Sequence, residues 1–476
     1  GVHAIGTEPN LYSPSNGTFI VLNGGTTTNL DFSWNSSGTG NTFEWYLYAS
    51  NSFSSAIYSD SSNNMGIDTS IILSYSDLNN MLDTLGYNHG DTAMFNWTVK
   101  SSSVGGTIWS VDTFSINLIR GYIFESFNPI SPSTGNVVIV DGKHISTVDF
   151  TWESAGDTVP EYEFQLDYSF GNFNNPLLSI ITNDTSLNVN YDSLNSILVN
   201  QGFPINGTLL GKWRVIAKAS GYTKISGTNA ISLKRGIIIS PFLLTLPLNL
   251  SSTIIEGDGN NILKIDWESS GFLAYYRFFI MAPAPSNDTL MIVQTNPNQD
   301  SLNLKYEDID QLLKDNNITI GTTIPLNWSV KAYTPTDSLL SSNSNFIINL
   351  TRGKVIKDFT MLNTPNNTSV NFFGYSSKSI DFNWSNAGDS VTYYFEIDSL
   401  GKDFSSSLYN SLTANDTFIN ISYVTIESIL ESVNIATNST AELIWRVQAT
   451  NGPDTVILNS FNLFINRDNL LSPFDL

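Results

Sequence analysis

Three histidines, ten tryptophans and scattered carboxylates are the side chains of this 476-residue chain from which chemistry could be built. His3, His89 and His144 lie in separate segments, with no partner four residues away and no HExxH pattern. Metal-hydrolase and triad chemistry therefore lack their central group, and solvated loop positions are expected for all three. The chain has no cysteine, which excludes thiol catalysis, thiolate metal sites and disulfides. Glu256-Gly257-Asp258-Gly259-Asn260-Asn261 has the composition of a calcium loop. It lacks the alternating ligands and terminal Glu of an EF-hand, and a tight hairpin turn is the expectation. Glycoside hydrolysis needs two carboxyls at a fixed separation. Pairs such as Asp31 and Glu44 vary along the chain without matching partners, which reads as solvated strand faces. A protein that is not an enzyme, with no cofactor and no metal, is the expectation.

Tryptophan is the other candidate, because an exposed aromatic ring can stack on a sugar ring. Its spacing argues for a different use. Asp31-Phe32-Ser33-Trp34 returns as Asp149-Phe150-Thr151-Trp152, Ile265-Asp266-Trp267 and Asp381-Phe382-Asn383-Trp384. A second series, Trp97, Trp213, Trp328 and Trp445, follows at nearly the same period of about one domain. Apart from Trp445, which follows Ile444, they alternate with polar neighbours, as core residues of half-buried strands do, and two large aromatics per unit can anchor a sandwich by burial. Trp45 and Trp109 stand outside the pattern and are the better candidates for an exposed platform.

The elements that would position these residues are short strands separated by Gly, Asn and Ser turns, the signal of a sandwich. An aromatic-rich strand, Glu44 to Tyr48 in the first repeat, lies between the two Trp strands, and each repeat closes on a strand ending in Arg120, Arg235, Arg352 or Arg467. One helical pattern interrupts the strands. Leu78, Met81, Leu82 and Leu85 fall on one helical face, with a capping Ser before and Gly86 after. Counterparts stand at 192–202, 307–314 and 425–432. The fold expected is all-β: four tandem immunoglobulin-like β-sandwich domains, each with one short crossover helix. Their expected bounds are 1–120, 121–235, 236–352 and 353–467, followed by a tail at 468–476.

Forty-three acidic against twenty-one basic residues give a net charge of −22, which opposes binding to nucleic acid or an anionic membrane. No apolar run is long enough to cross a bilayer as a helix, and Gly1 to Ile5 lacks the basic start of a signal peptide. The low charge density and the wealth of Ser, Thr, Asn and Gly point to an extracellular or cell-surface protein. Asp-Ser/Thr-aliphatic triplets, among them those of Thr158, Thr289, Ser338, Ser390 and Thr455, are more frequent than composition supplies.

Ser-Pro-Ser-Asn-Gly at 13–17, the Asp-Phe-Ser-Trp strand, Tyr75-Ser76-Asp77-Leu78, and the Trp-x-Val strand with its closing Arg form one ordered set. Together they resemble the immunoglobulin-like domain of SusE-type outer-membrane proteins of Bacteroidetes, in four copies. The resemblance implies a surface lipoprotein that helps bind starch or other glycans beside a nutrient importer. It also fits the triplets, which are similar to the O-glycosylation motif of exported proteins in that phylum, and so implies covalent glycans at Thr158, Thr289, Ser338, Ser390 and Thr455. The family's lipidated N-terminal Cys has no counterpart, and all four units are of the immunoglobulin-like type.

After the last Arg, Asp468 to Leu476 echoes the opening strand of a further repeat, with Leu470, Leu471, Phe474 and Leu476 apolar. As a donor strand it would pair beside the first repeat of the next copy and propagate a helical homopolymer of identical subunits. The expectation is thus the subunit of a surface fibre or pilus-like filament. The alternative is a SusE-like cell-surface glycan-binding accessory lipoprotein.

Overall fold

A computed structural model describes residues 7–35, 40–156, 159–219, 221–343, 345–375 and 377–471. The chain forms two compact units, Gly1–Gly236 and Ile237–Leu476, and each contains two repeats.

The first repeat sets the pattern. Its strands are β1 (Asn10–Ser13), β2 (Thr18–Val21), β3 (Gly24–Gly25), β4 (Asn29–Asn35), β5 (Thr42–Ala49), β6 (Tyr58–Ser61), β7 (Ser70–Ser74), β8 (Thr92–Ser103), β9 (Gly106–Trp109) and β10 (Phe114–Ile119). A one-turn helix α1 (Asn63–Gly66) follows β6, and α2 (Tyr75–Thr84) joins β7 to β8. One sheet runs β1-β4-β7 and the other β2-β10-β8-β5-β6, with β9 on the end of β8. All pairs in these sheets are antiparallel except β2 with β10, which run parallel. Both sheets recur with the same order in each of the other three repeats. This is the immunoglobulin-like sandwich with a crossover helix that the sequence predicts.

Alternation builds the core. Leu30, Phe32 and Trp34 of β4 face Phe43, Trp45 and Leu47 of β5 and Phe95, Trp97 and Val99 of β8 across the inter-sheet space. Helix α2 carries the chain between the sheets; Ser74 caps it by accepting from Asp77 N–H at 2.9 Å, and Leu78 and Leu82 close one end of the core.

The closing arginine is a clamp rather than a mere strand end. Its Nη1 donates to the carbonyl just past the crossover helix in every repeat: Arg120 to Tyr87, Arg235 to Phe203, Arg352 to Ile318 and Arg467 to Ile435. Each guanidinium also meets a helix side chain, Asp83, Asn195, Asp310 or Glu427. These orphan carbonyls at a helix end would otherwise lack donors. In the third repeat Arg352 also reaches Asp389 of the fourth at 2.7 Å, and Lys314 reaches the same carboxylate at 2.9 Å.

The expected opening strands are placed differently. The strand Phe346–Ile356 runs through the expected boundary at 352/353, and Val355 and Ile356 pair with Gly257 and Asp258 of the third repeat. Successive residues of a strand point to opposite faces. Val355 accordingly enters the third core and Ile356 the fourth. Gly353 is needed at this crossing, since a Cβ there would lie 2.6 Å from Glu256 Cβ. In the fourth repeat Leu470 and Leu471 pair in the same way with Gly374 and Tyr375. Their backbone is therefore already hydrogen-bonded within their own repeat, which corrects the idea of an orphan donor strand. Phe474 and Leu476 lie outside the described residues.

Candidate functional site

The eight repeated tryptophans, Trp34, Trp97, Trp152, Trp213, Trp267, Trp328, Trp384 and Trp445, are at most 3 % exposed. Their indole N–H groups find no acceptor, so ring packing carries them. Trp97, for example, meets Phe32 at 5.2 Å and Phe114 at 5.7 Å, both edge-on. Trp45 is fully buried, which overturns its expected role as a platform. The phase of β5 explains it: Trp45 shares the inward register of Phe164, Phe278 and Phe395, each paired opposite the Val two residues after a core Trp.

Trp109 is the exposed one, at 45 %. It ends β9, which pairs beside the end of β8, and it stands opposite Lys100 on the outward side of the larger sheet. The outward side chains of β5 are Glu44, Tyr46 and Tyr48, and they complete an aromatic row. Trp109 lies 5.1 Å from Tyr46, Tyr46 stacks on Tyr48 at 6.2 Å, and Tyr48 meets Phe53 at 5.4 Å. Tyr48, Phe53, Thr98, Trp109, Ser110 and Thr113 enclose an open cleft of about 290 Å³. Sequence reading found Trp109 but missed its companions, because Tyr46 and Tyr48 look like ordinary alternation and Phe53 lies in a loop.

Hydroxyls and one ion pair accompany the rings. Ser110 Oγ donates to Asp112 O at 2.7 Å, so the 2.7 Å contact between Thr98 Oγ1 and Ser110 Oγ uses the Thr98 proton. The Thr98 oxygen keeps its acceptor capacity at the cleft. Lys100 pairs with Glu44 at 2.5 Å and donates to Tyr46 Oη at 3.0 Å, with its ammonium 5.9 Å from the Trp109 ring centre. The Glu44 hydrogen bond raises the Lys100 pKa to about 12, and the Lys100 bond holds the Glu44 carboxyl below its ordinary value. Neither charge is left free for a ligand of opposite sign.

The same face is charged in two other repeats. Arg214 lies over the Phe173 ring at 4.1 Å and donates to Gln165; Arg446 lies over Phe404 at 4.2 Å and donates to Glu396. Asp167 and Asp398 accept from the backbone N–H groups of Phe173 and Phe404 and fix those rings. In the third repeat Tyr275, Arg277 and Tyr333 stack together instead.

The remaining candidates are dispersed. His89 Nδ1 contacts Gly121 O at 2.8 Å and its ring stacks on Tyr122 at 4.2 Å, so it packs at a repeat joint rather than in a solvated loop. His144 stands 3.5 Å from Asp192, and His3 lies outside the described residues. Asp258 to Asn261 turns the chain from one sheet to the other and is not a hairpin. Among the described residues no three His, Asp or Glu side chains cluster to hold a metal, and no helix is long and apolar enough to cross a membrane. Thr289, Ser390 and Thr455 are exposed and Ser338 is half-buried, while Thr158 lies outside the described residues.

Among solved structures the chain is similar to the FN1–FN3 domains of chicken CNTN1, at 14 % identity over 72 % of this chain and 98 % of that one, with a TM-score of 0.23. It is also similar to the N-terminal four Ig domains of Dscam1 isoform 7.44, at 10 % identity over 98 % and 100 % of the two chains, with a TM-score of 0.20. No curated protein matches the chain. The signature of the family described as SusE outer membrane protein matches residues 125–216 and 347–448, in the second repeat and from the end of the third into the fourth. Over those two regions the chain is similar to the SusE outer membrane protein family, a family of the cell surface, and it is built of tandem immunoglobulin-like domains.

Proposed function

We propose that this protein is a SusE-like glycan-binding accessory of the cell surface and not an enzyme. The observation that carries the reading is the aromatic, hydroxyl-lined face of the first repeat in a SusE-type array. A pyranose offers C–H bonds to an aromatic face and hydroxyls to polar neighbours, and such a face offers both in return. No paired free carboxyls or metal-ligating cluster stands beside it among the described residues to perform hydrolysis. The filament reading has lost its main support, because the backbone of Leu470 and Leu471 is already engaged.

Affinity electrophoresis of the intact chain in gels containing amylopectin, α-mannan or xyloglucan tests the proposal. Retardation by at least one glycan is expected; unretarded migration in all three, with no heat on calorimetric titration, would refute it. Covalent glycans at Thr289, Ser390 and Thr455 belong to the same reading. They require that protein from its native source weigh more than the 52.4 kDa polypeptide, and an equal mass removes them.

A further inference from the structure

The four repeats share one scaffold, so strand register identifies equivalent positions on their outer faces. Thr98 pairs opposite Tyr46 in the first repeat as Arg214 pairs opposite Gln165 in the second and Arg446 opposite Glu396 in the fourth. Tyr48 holds the place of Asp167 and Asp398, opposite the residue just before each core Trp. Trp109 pairs with Lys100 as Ile225 pairs with Ile216 and Ile457 with Gln448.

These replacements act together. In the second and fourth repeats a guanidinium plate lies over a loop phenylalanine, at 4.1 and 4.2 Å from the ring centre. Carboxylates stand beside it, with Asp167 or Asp398 holding the ring loop. The slot above that phenylalanine is thus filled by the chain itself. In the first repeat the residue at the plug position is Thr98, too short to reach Phe53, and the aspartate has become Tyr48. The space between Phe53, Tyr48 and Trp109 is the open cleft of about 290 Å³. No charged residue lines it. The nearest carboxylate of β5, Glu44, is bound by Lys100 at 2.5 Å.

The third repeat also holds a short residue at the plug position, Ser329, but Met281 and Leu340 stand where Tyr48 and Trp109 do, so those two rings are absent there. We infer that the first repeat alone joins an unplugged slot to aromatic walls and takes one uncharged pyranose ring of a neutral glycan there, with Thr98 as the residue that keeps the slot open. This rests on the glycan-binding reading and goes beyond it in naming the site, the ligand's charge and a stoichiometry of one. The chemistry excludes charged ligands on both sides. A cation would lose the aspartate that accompanies the plug in the second and fourth repeats. An anion would meet the repulsion of a chain carrying a net charge of −22. A neutral ring can stack on Trp109 and Phe53 while a sugar hydroxyl donates to Thr98 Oγ1, and the cleft is near the lower end of small-ligand site sizes, about 300–1,000 Å³. Its open side lets a polymer run off into solvent.

Thr98→Arg installs the plug of the second and fourth repeats, Trp109→Ala removes the platform, and Ile225→Ala alters the equivalent position in the second repeat. Each is titrated calorimetrically with amylopectin, α-mannan and xyloglucan oligosaccharides and with an arginine-rich peptide, and its melting is followed separately. The inference expects one site on the intact chain and affinity lowered by about tenfold or more in the first two variants, as for loss of an interface anchor. Binding should be unchanged in Ile225→Ala. Trp109 is exposed, so its variant remains informative even if Thr98→Arg folds poorly. Unchanged glycan binding in Trp109→Ala would overturn the slot while leaving the glycan reading intact. If the intact chain binds no glycan, both fall. Tight binding of the peptide instead of the sugars would identify the slot as a receptor for a partner's arginine.

Discussion

Replacing Trp97 with Ala should unfold one repeat and spare the rest. The side chain is fully buried between Phe32 and Phe114. An aromatic side chain buries about 150–250 Å². At about 25 cal/mol per Å² that is about 4–6 kcal/mol. Alanine keeps the Cβ, which brings the expected loss to about 3–5 kcal/mol, the usual range for Phe or Trp to Ala in a core. The indole N–H has no acceptor in the wild type, so no hydrogen bond adds to the loss. A domain of this size has about 5–15 kcal/mol of stability in total, and its melting temperature should fall by about 12–20 °C. Differential scanning calorimetry should show one transition shifted by that amount and the others nearly in place, since tandem domains couple mainly to neighbours. Trp109→Ala removes the same group from an exposed position and should cost about 1 kcal/mol or less. Equal shifts for the two variants, or a uniform shift of all transitions, would refute the division between core and platform tryptophans.

Two further outcomes follow from the buried charges. Arg352→Met removes one of the two cations on the nearly buried Asp310, leaving it Lys357 at 3.1 Å, and leaves Asp389 to Lys314, so the third repeat should lose about 1–3 kcal/mol in chemical denaturation; no measurable loss would show that the clamp is not needed. Burial alone would raise the Glu163 carboxyl, but hydrogen bonds from Lys218, Ser179 and Gln165 outweigh it and hold the pKa at about 2, below its ordinary value of 4.5. A depressed carboxyl contributes stability that is complete above about pH 4.5 and is lost as pH falls to about 2. Melting of Glu163→Gln should therefore depend less on pH in that window than melting of the wild type.

Much of this architecture was legible because a core repeats itself. Phe32-x-Trp34 and Trp97-x-Val99 return wherever two sheets must meet, and the alternation around them predicts their burial. Helix α2 was legible through Leu78 and Leu82, which return as Leu194 and Leu198 on the same face. The strand that crosses the third repeat boundary was not, because Val355 and Ile356 are both apolar and a linear pattern cannot say that one serves each core. Nor was the arginine clamp, since its carbonyl acceptors are backbone groups with no sequence trace. Trp45 shows the opposite failure. Its rarity suggested a special role, whereas its phase within β5 already placed it inside.

The candidate site was hidden for a related reason. A repeat search gives weight to what recurs, but a scaffold carries specificity where its copies differ. Thr98 is an unremarkable residue in the first repeat taken alone. Against Arg214 and Arg446 it becomes the absence of a plug, and with Tyr48 in place of an aspartate it becomes the absence of that plug's charge partner as well. Trp109, where the second and fourth repeats hold Ile225 and Ile457, supplies the wall. The third repeat shares the first two changes, with Ser329 and Met281, but holds Leu340 in place of Trp109, so only the first repeat joins an open, uncharged slot to this aromatic wall. The outward side chains of β5, β8 and β9 can vary in this way at little cost to folding, because the inward set that alternates with them holds the sandwich together.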